Sequence, residues 1–391
     1  MAKILLAWEF GRGLGHLAQL KPFVDRALSE GHQVALAAKE LQNVPVFFSG
    51  DKLDIFQAPF FHRAPKRRYP KILSYSQLIL QQLNSVADLE LLFRAWNTIY
   101  DAVEPDVVVY ESAPWAMAAS HHRGWKKWLV GSGFFIPRLD LPFMGLFPGV
   151  EKTRDNFRSL KEAEMLVLTM INDVMSRQGL PVLDDVRDLF ARVDHRLIQS
   201  LPETDHFGTR DNEDYVGISQ TLPAVNVVWP VAGDCKVFAY LYNFPGVEKL
   251  LSALDRSGAA SVVYSRELDE SVKSRFPGIQ FVEEPLDMGT VLSLADLMIT
   301  MGGHTTAVQG MMMGIPLLLI PVFQEQFFFA SRVVEQGRGI ILPPKQENVD
   351  KIVAAALSMA RAGRLAFDTQ RRELYGGRRL QQRLDALFAA L

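Results

Sequence analysis

Short, near-continuous apolar runs alternate along the chain with segments whose apolar residues recur every three or four positions. "KILLAW" (3–8), "QVALAA" (33–38), "DVVVYE" (106–111) and "KKWLVG" (126–131) show no polar alternation, which predicts strands of a parallel sheet covered on both faces. Helical spacing predicts helices over 17–30, 72–101 and 114–122 between them. The rhythm lapses over 134–217, where the Pro/Phe-rich "GFFIPRLDLPFMGLFPG" leads into long amphipathic helices. It restarts with "CKVFAYLY" (235–242), "SVVYS" (261–265), "IQFV" (279–282), "LMIT" (297–300), "IPLLLI" (315–320) and "GIIL" (339–342). Alternation of this kind predicts the α/β class. Two Rossmann-like halves are expected: an N-terminal domain over 1–217, a linker over 218–234 containing Pro223 and Pro230, and a C-terminal domain over 235–375. An amphipathic helix over 376–391 closes the chain.

Composition narrows the function classes. The chain has 391 residues, 48% of them hydrophobic, enough for more than one core. With 42 basic and 44 acidic residues the net charge is -2, so no global attraction draws it to nucleic acid or an anionic membrane. The basic segment "HRAPKRRYPK" (62–71) leaves a local one open, either to an acidic acceptor or to a membrane surface, beside its default as a solvated loop. Cys235 is the only cysteine, which excludes an internal disulfide and suits a reducing compartment. Glu9, Arg12 and His16 interrupt the first apolar run, unlike a signal peptide, and the other apolar runs are too short to span a bilayer. A cytoplasmic protein is expected.

In open parallel sheets ligands bind beyond the carboxyl ends of the strands, so chemistry is sought in those loops. The first is "GRGLGH" (11–16), which can hold a phosphate or present His16. A dinucleotide fingerprint fails there: with Gly11 and Gly13 as its first glycines the third falls on His16, and Glu40 lies too far on for the ribose. No P-loop occurs, and no D-x-D pair to hold a divalent ion. His121, His122 and His195 lack a third ligand at a recognisable spacing, so no metal is expected. Around 302–306, "GGHTT" ends a strand and opens a helix, so glycine backbone, N–H groups and hydroxyls converge as at an anion site. Glu325 and Gln326 stand together at the next helix start.

From "MGGHTTAVQGMMMGIP" through "FQEQ" the chain resembles the GT-B glycosyltransferases of the UDP-glycosyltransferase and antibiotic-glycosylating type. "GHLAQLKPFVDRALSEGHQVALA", "PDVVVYESAPWAMAAS" and "LIQSLPETDHF" follow in that family's order. The resemblance implies two Rossmann-like domains facing across a cleft, with the C-terminal helix crossing back to the first. It implies sugar transfer from a UDP- or dTDP-sugar to an acceptor hydroxyl of a small molecule or lipid, by inverting displacement without a metal. Gly302, Gly303, Thr305 and Thr306 would hold the diphosphate, Gln309 the ribose, and Glu325 with Gln326 the sugar hydroxyls. Met301 and Gln309 stand where the family has histidine and glutamate, and His304 is the residue that could replace the lost imidazole. His16 would be the base and Glu111 its orienting carboxylate, with the glycines of the first loop making room for acceptor and sugar. A sugar-nucleotide 2-epimerase and a non-catalytic binding protein are the alternatives.

Overall fold

The computed structural model describes residues 1–50, 52–63, 66, 68–219, 229, 234–284 and 286–391. The chain divides into two compact units. The first comprises 1–199, 211–215 and 383–391, and the second 200–210 and 216–382. The division thus falls at 199, ahead of the predicted 217, and each unit is completed by a short stretch from elsewhere in the chain. Most of the predicted linker, 220–228 and 230–233, lies outside the described residues. Among the described residues, no helix is long and apolar enough to cross a membrane.

Unit 1 is a parallel sheet of β1 (Lys3–Trp8), β2 (Gln33–Ala38), β3 (Asp54–Gln57), β4 (Val107–Glu111), β5 (Lys126–Gly131), β6 (His195–Ile198) and β7 (Asp214–Tyr215), in the order β3-β2-β1-β4-β5-β6-β7. The central strands are the apolar runs of the sequence, and β1 and β4 are almost wholly buried. Strands β3, β6 and β7 were not expected. "DIFQ" and "HRLI" are polar and partly exposed, so they carry no apolar run to read. The predicted helix over 72–101 is two helices, Tyr75–Leu80 and Val86–Val103. Ser85 and Asp88 form a capping box that starts the second, satisfying first-turn N–H groups that a continuous helix would not leave open. The expected amphipathic helix in the 134–217 region is Arg154–Arg177. At the chain end, Gly376 and Gly377 kink the backbone before the helix Arg379–Ala389, whose Phe388 packs edge-on against Trp128 of β5.

Unit 2 holds β8 (Lys236–Tyr240), β9 (Ala260–Tyr264), β10 (Ile279–Val282), β11 (Leu297–Thr300), β12 (Leu317–Leu319) and β13 (Gly339–Ile341), all parallel, in the order β10-β9-β8-β11-β12-β13. One apolar layer on its faces contains Phe238, Met298, Leu317 and, from the helix His304–Met312, Ala307, Val308 and Met311. Gly310 lets that helix lie close: a Cβ there would stand 2.8 Å from Met298 Sδ and 3.0 Å from a Leu317 methyl.

Gly310→Ala should therefore lower stability. The gain in helix propensity, about 1 kcal/mol, is outweighed by overpacking of about 1–3 kcal/mol against β11 and β12. A urea midpoint at or above that of the parent protein would show that the helix is free to shift outward.

Candidate active site

In unit 1, β1 pairs with β4 in a register that sets Trp8 opposite Glu111, so the two strands open side by side at their carboxyl ends. The chain leaves β1 through Gly11, whose φ is +94°. A Cβ there would stand 2.1 Å from Nε2 of His16 and 2.5 Å from its Cε1. Gly11 therefore makes room for the imidazole itself. Lys39 Nζ donates to Gly11 O (2.8 Å) and Gly13 N to Glu40 Oε2 (3.0 Å), so the end of β2 holds the loop in place.

His16 lies in the first turn of the helix Leu14–Ser29 and is buried. The indole of Trp8 stacks on it with centroids 4.9 Å apart, and Phe135 meets it edge-on at 5.0 Å. Its Nδ1 is 2.8 Å from Oε2 of Glu111, a carboxylate with 0% exposure. A carboxylate only accepts, so Nδ1 is the donor of the pair. This is the arrangement a general base requires. The residue after Glu111, Ser112, sits at φ +47°, a left-handed conformation uncommon outside glycine, asparagine and aspartate. The structure thus brings His16 and Glu111 together.

In unit 2, β11 ends at Thr300, and Met301 turns back into the apolar cluster with Ile299, Leu318 and Ile320. Gly302, φ +83°, passes the start of the helix Gln324–Glu335, where a Cβ would meet Gln326 at 3.4 Å. Gly303 precedes the helix His304–Met312 and no side chain caps it. Ala307 N is bonded to Gly303 O, and the N–H groups of the turn before it have no place in the helical ladder. Thr305 and Thr306 are half-buried in that turn, with Gln309 one turn further along the same face as Thr305. Gln326 Oε1 accepts from Val322 N (2.9 Å) and Phe323 N (3.3 Å), which shapes the loop after β12. Glu325 Oε1 lies 3.0 Å from Nε2 of His206.

His304 points inward. Its Nε2 is 2.8 Å from Ser200 Oγ, which also stands 3.0 Å from Leu201 O and from Thr204 Oγ1. The ring stacks on His206 with centroids 5.3 Å apart and meets the edge of Phe329. Nδ1 is buried with no partner, which suits a lone pair better than a hydrogen. Burial, and then the neighbouring His206, holds the pKa well below the usual 6.5, so the ring is neutral. The expectation that His304 supplies an imidazole N–H to a diphosphate is corrected on this point: its one N–H is already committed to Ser200.

Sequence reasoning missed Ser200 and His206, which stand far from the motifs they touch. It also read "CKVFAYLY" as strand core throughout. Tyr240 ends β8 opposite Thr300 and Tyr264, its hydroxyl is 3.0 Å from that of Tyr242, and its ring meets Tyr264 at 4.9 Å. Tyr240 and Tyr264 pack on the same apolar layer as the helix His304–Met312. Burial raises the pKa of each phenol, keeping all three as hydrogen-bond donors. Among the described residues, no group of three or more His, Cys, Asp or Glu is placed to hold a metal ion.

Comparison with known proteins places these features in a class. Residues 266–379 match the glycosyltransferase family 28 C-terminal domain. The NDP-glycosyltransferase YjiC of Bacillus subtilis (strain 168) is 28% identical over 119 residues, which is 30% of this chain and 30% of that protein. The aligned stretch thus spans under a third of that relative's length. Among solved structures, the calicheamicin glycosyltransferase CalG4 superposes with a TM-score of 0.67 at 18% identity, over 98% of each chain. The spinosyn rhamnosyltransferase SpnG, complexed with spinosyn aglycone, gives 0.63 at 19%, over 92% of this chain and 94% of that one. Glycosyltransferase VinC, in complex with dTDP, gives 0.58 at 15%, over 92% of each. The fold is the GT-B fold of two Rossmann-like α/β domains. Within that class, residues 266–379 of the second unit are similar to the family 28 C-terminal domain.

The neutral, buried His304 has a pH consequence. Its folded pKa lies below its unfolded one, so its contribution to stability is complete above pH 6.5 and is lost as pH falls below that value, by at most about 1.4 kcal/mol per unit. His304→Gln keeps a donor for Ser200 but cannot titrate. Chemical denaturation between pH 5 and 8 should show a shallower acid loss for this variant, and equal slopes would contradict the assignment.

Proposed function

We propose that the protein is an inverting glycosyltransferase that moves a sugar from a UDP- or dTDP-sugar to a hydroxyl of a small-molecule acceptor. The observation that carries this reading is the buried His16–Glu111 pair at the mouth of β1 and β4, with Nε2 of His16 left as the acceptor of a proton. The base takes the acceptor's hydroxyl proton as its oxygen attacks the anomeric carbon, and the bond to the nucleoside diphosphate breaks on the opposite face. Glu111 stabilises the imidazolium that forms. In unit 2, the open N–H groups after Gly303 and the hydroxyls of Thr305 and Thr306 are suited to the charge that develops on the departing diphosphate, so the proposal needs no metal. Gln309 is assigned to the ribose. Glu325, held through one oxygen by His206, offers the other to a sugar hydroxyl, and Gln326 its amide N–H.

The acceptor follows from what surrounds His16. Trp8, Phe135, Phe10 and Phe134 are in ring contact with it or with one another, which favours an apolar or aromatic acceptor that presents one hydroxyl. The complexes with spinosyn aglycone and with dTDP among the structural neighbours agree with this choice of substrate classes. A buried lone cysteine accords with a reducing, cytoplasmic setting.

Thermal-shift screening against UDP- and dTDP-sugars identifies the donor, because a ligand that binds only the folded state stabilises it by mass action. With that donor, Thr306→Val should weaken binding about 5- to 30-fold, the worth of a hydrogen bond to a charged group. Calorimetry that finds unchanged affinity would remove Thr306 from the site.

Turnover tests the base. His16→Ala should lower it roughly 100- to 10,000-fold with donor affinity intact. Glu111→Gln should do less, and the double variant little more than His16→Ala, as for groups acting together. Multiplicative losses would separate the pair, and donor binding with no turnover in the parent protein would favour a binding protein.

A further inference from the structure

Glu9 follows β1 at its ligand-facing end, is 1% exposed, and takes no part in the reaction just described. Its Oε1 accepts from the backbone N–H groups of Trp115 and Ala116, and its Oε2 from the indole N–H of Trp96 at 2.6 Å. Trp115 and Ala116 belong to the first turn of the helix Pro114–Ser120, whose own N-cap residue, Ala113, has no side chain able to cap it. A carboxyl group from another element therefore performs the capping. The two neighbours of Glu9 reach the pair, one directly and one through the residue after Glu111. Trp8 lies on the ring of His16, and Phe10 N donates to Ser112 O at 2.9 Å, one residue beyond Glu111.

We propose that Glu9 is a positioning residue for the His16–Glu111 pair, clamping the exit of β4 to the exit of β1 so that Nδ1 and Oε2 stay within hydrogen-bond reach. The inference rests on the His16–Glu111 reading above. A serine or aspartate at 113 would cap the same helix locally and at the surface. A buried carboxyl is a costly substitute: desolvation raises its pKa to about 8 against the pull of its three donors and of Lys39. The other ionisable groups facing it are the buried phenols of Tyr75 and Tyr100, each raised first by burial and also by the charge of Glu9. A group so expensive, placed between a residue stacked on His16 and one bonded to the residue after Glu111, is explained by geometry that the site requires.

The test needs no substrate. Ring 15N spectra of histidine-labelled, full-length protein report the tautomer of His16, assigned with His16→Gln. The parent protein should show a single tautomer, with hydrogen on Nδ1, and Glu111→Leu, which leaves no acceptor for that hydrogen, should abolish that preference. Glu9→Ala should yield a mixture of both tautomers. Glu9→Gln, which retains an acceptor for Trp115 and Ala116 but has lost the same titrating group, should restore most of the parent spectrum. If near-ultraviolet dichroism shows Glu9→Ala unfolded, Glu9→Asp, one methylene short of the helix, replaces it with the same expectation. A parent-like spectrum in the shortened variant overturns the proposal, as does equal disturbance by Gln and Ala. No change in Glu111→Leu would instead overturn the His16–Glu111 pairing itself.

Discussion

A carboxylate with no exposed surface has to be met by a donor or give up its charge, and Glu111 is in that position at the end of β4. The donor is Nδ1 of His16. To reach it, the imidazole must lie over the first loop, and a side chain at residue 11 would occupy the same space. The glycine, the covering Trp8 and the edge of Phe135 all follow from where that ring has to be. So does the chemistry. Fixing one ring nitrogen as donor leaves the other for the role of base proposed above.

Unit 2 handles charge differently. At the start of the helix His304–Met312 the imidazole is neutral and bonded inward to Ser200, and Met301 lies in the core. What remains is backbone, the N–H groups of an uncapped helix start behind two glycines, with two threonine hydroxyls in the same turn. Such a site depends on how closely its helix and loops pack, since a dipole falls off within the first turn. Gly302 against Gln326 and Gly310 against Met298 and Leu317 are the contacts that make that packing possible.

Legibility followed burial. Strands β1, β2, β4 and β5 are apolar runs because both sheet faces are covered, and they were read almost to the residue. The edge strands β3 and β7 and the partly exposed β6 carry mixed residues, and nothing in their pattern separates them from loop. The helix predicted over 72–101 is broken where Ser85 finds a capping partner in Asp88, a local signal that the apolar periodicity on either side overrode. The start of unit 2 at 200 was not legible, because the segment 200–210 is tied to it by contacts and not by composition.

By itself the sequence determined the class of fold, the ends of the central strands and the residues that crowd those ends, because hydrophobic period and helix-start chemistry are local properties of the chain. It also supplied a motif order that pointed to His16, Glu111 and the "GGHTT" turn. The tertiary structure decided which atom of each residue is occupied. His16 meets Glu111 across 95 positions, His304 meets Ser200 across 104, and His206 meets Glu325 across 119. A hydrogen bond commits a ring nitrogen or a carboxylate oxygen to one partner. The choice among partners depends on where strands distant in sequence come to an end, which no local pattern records.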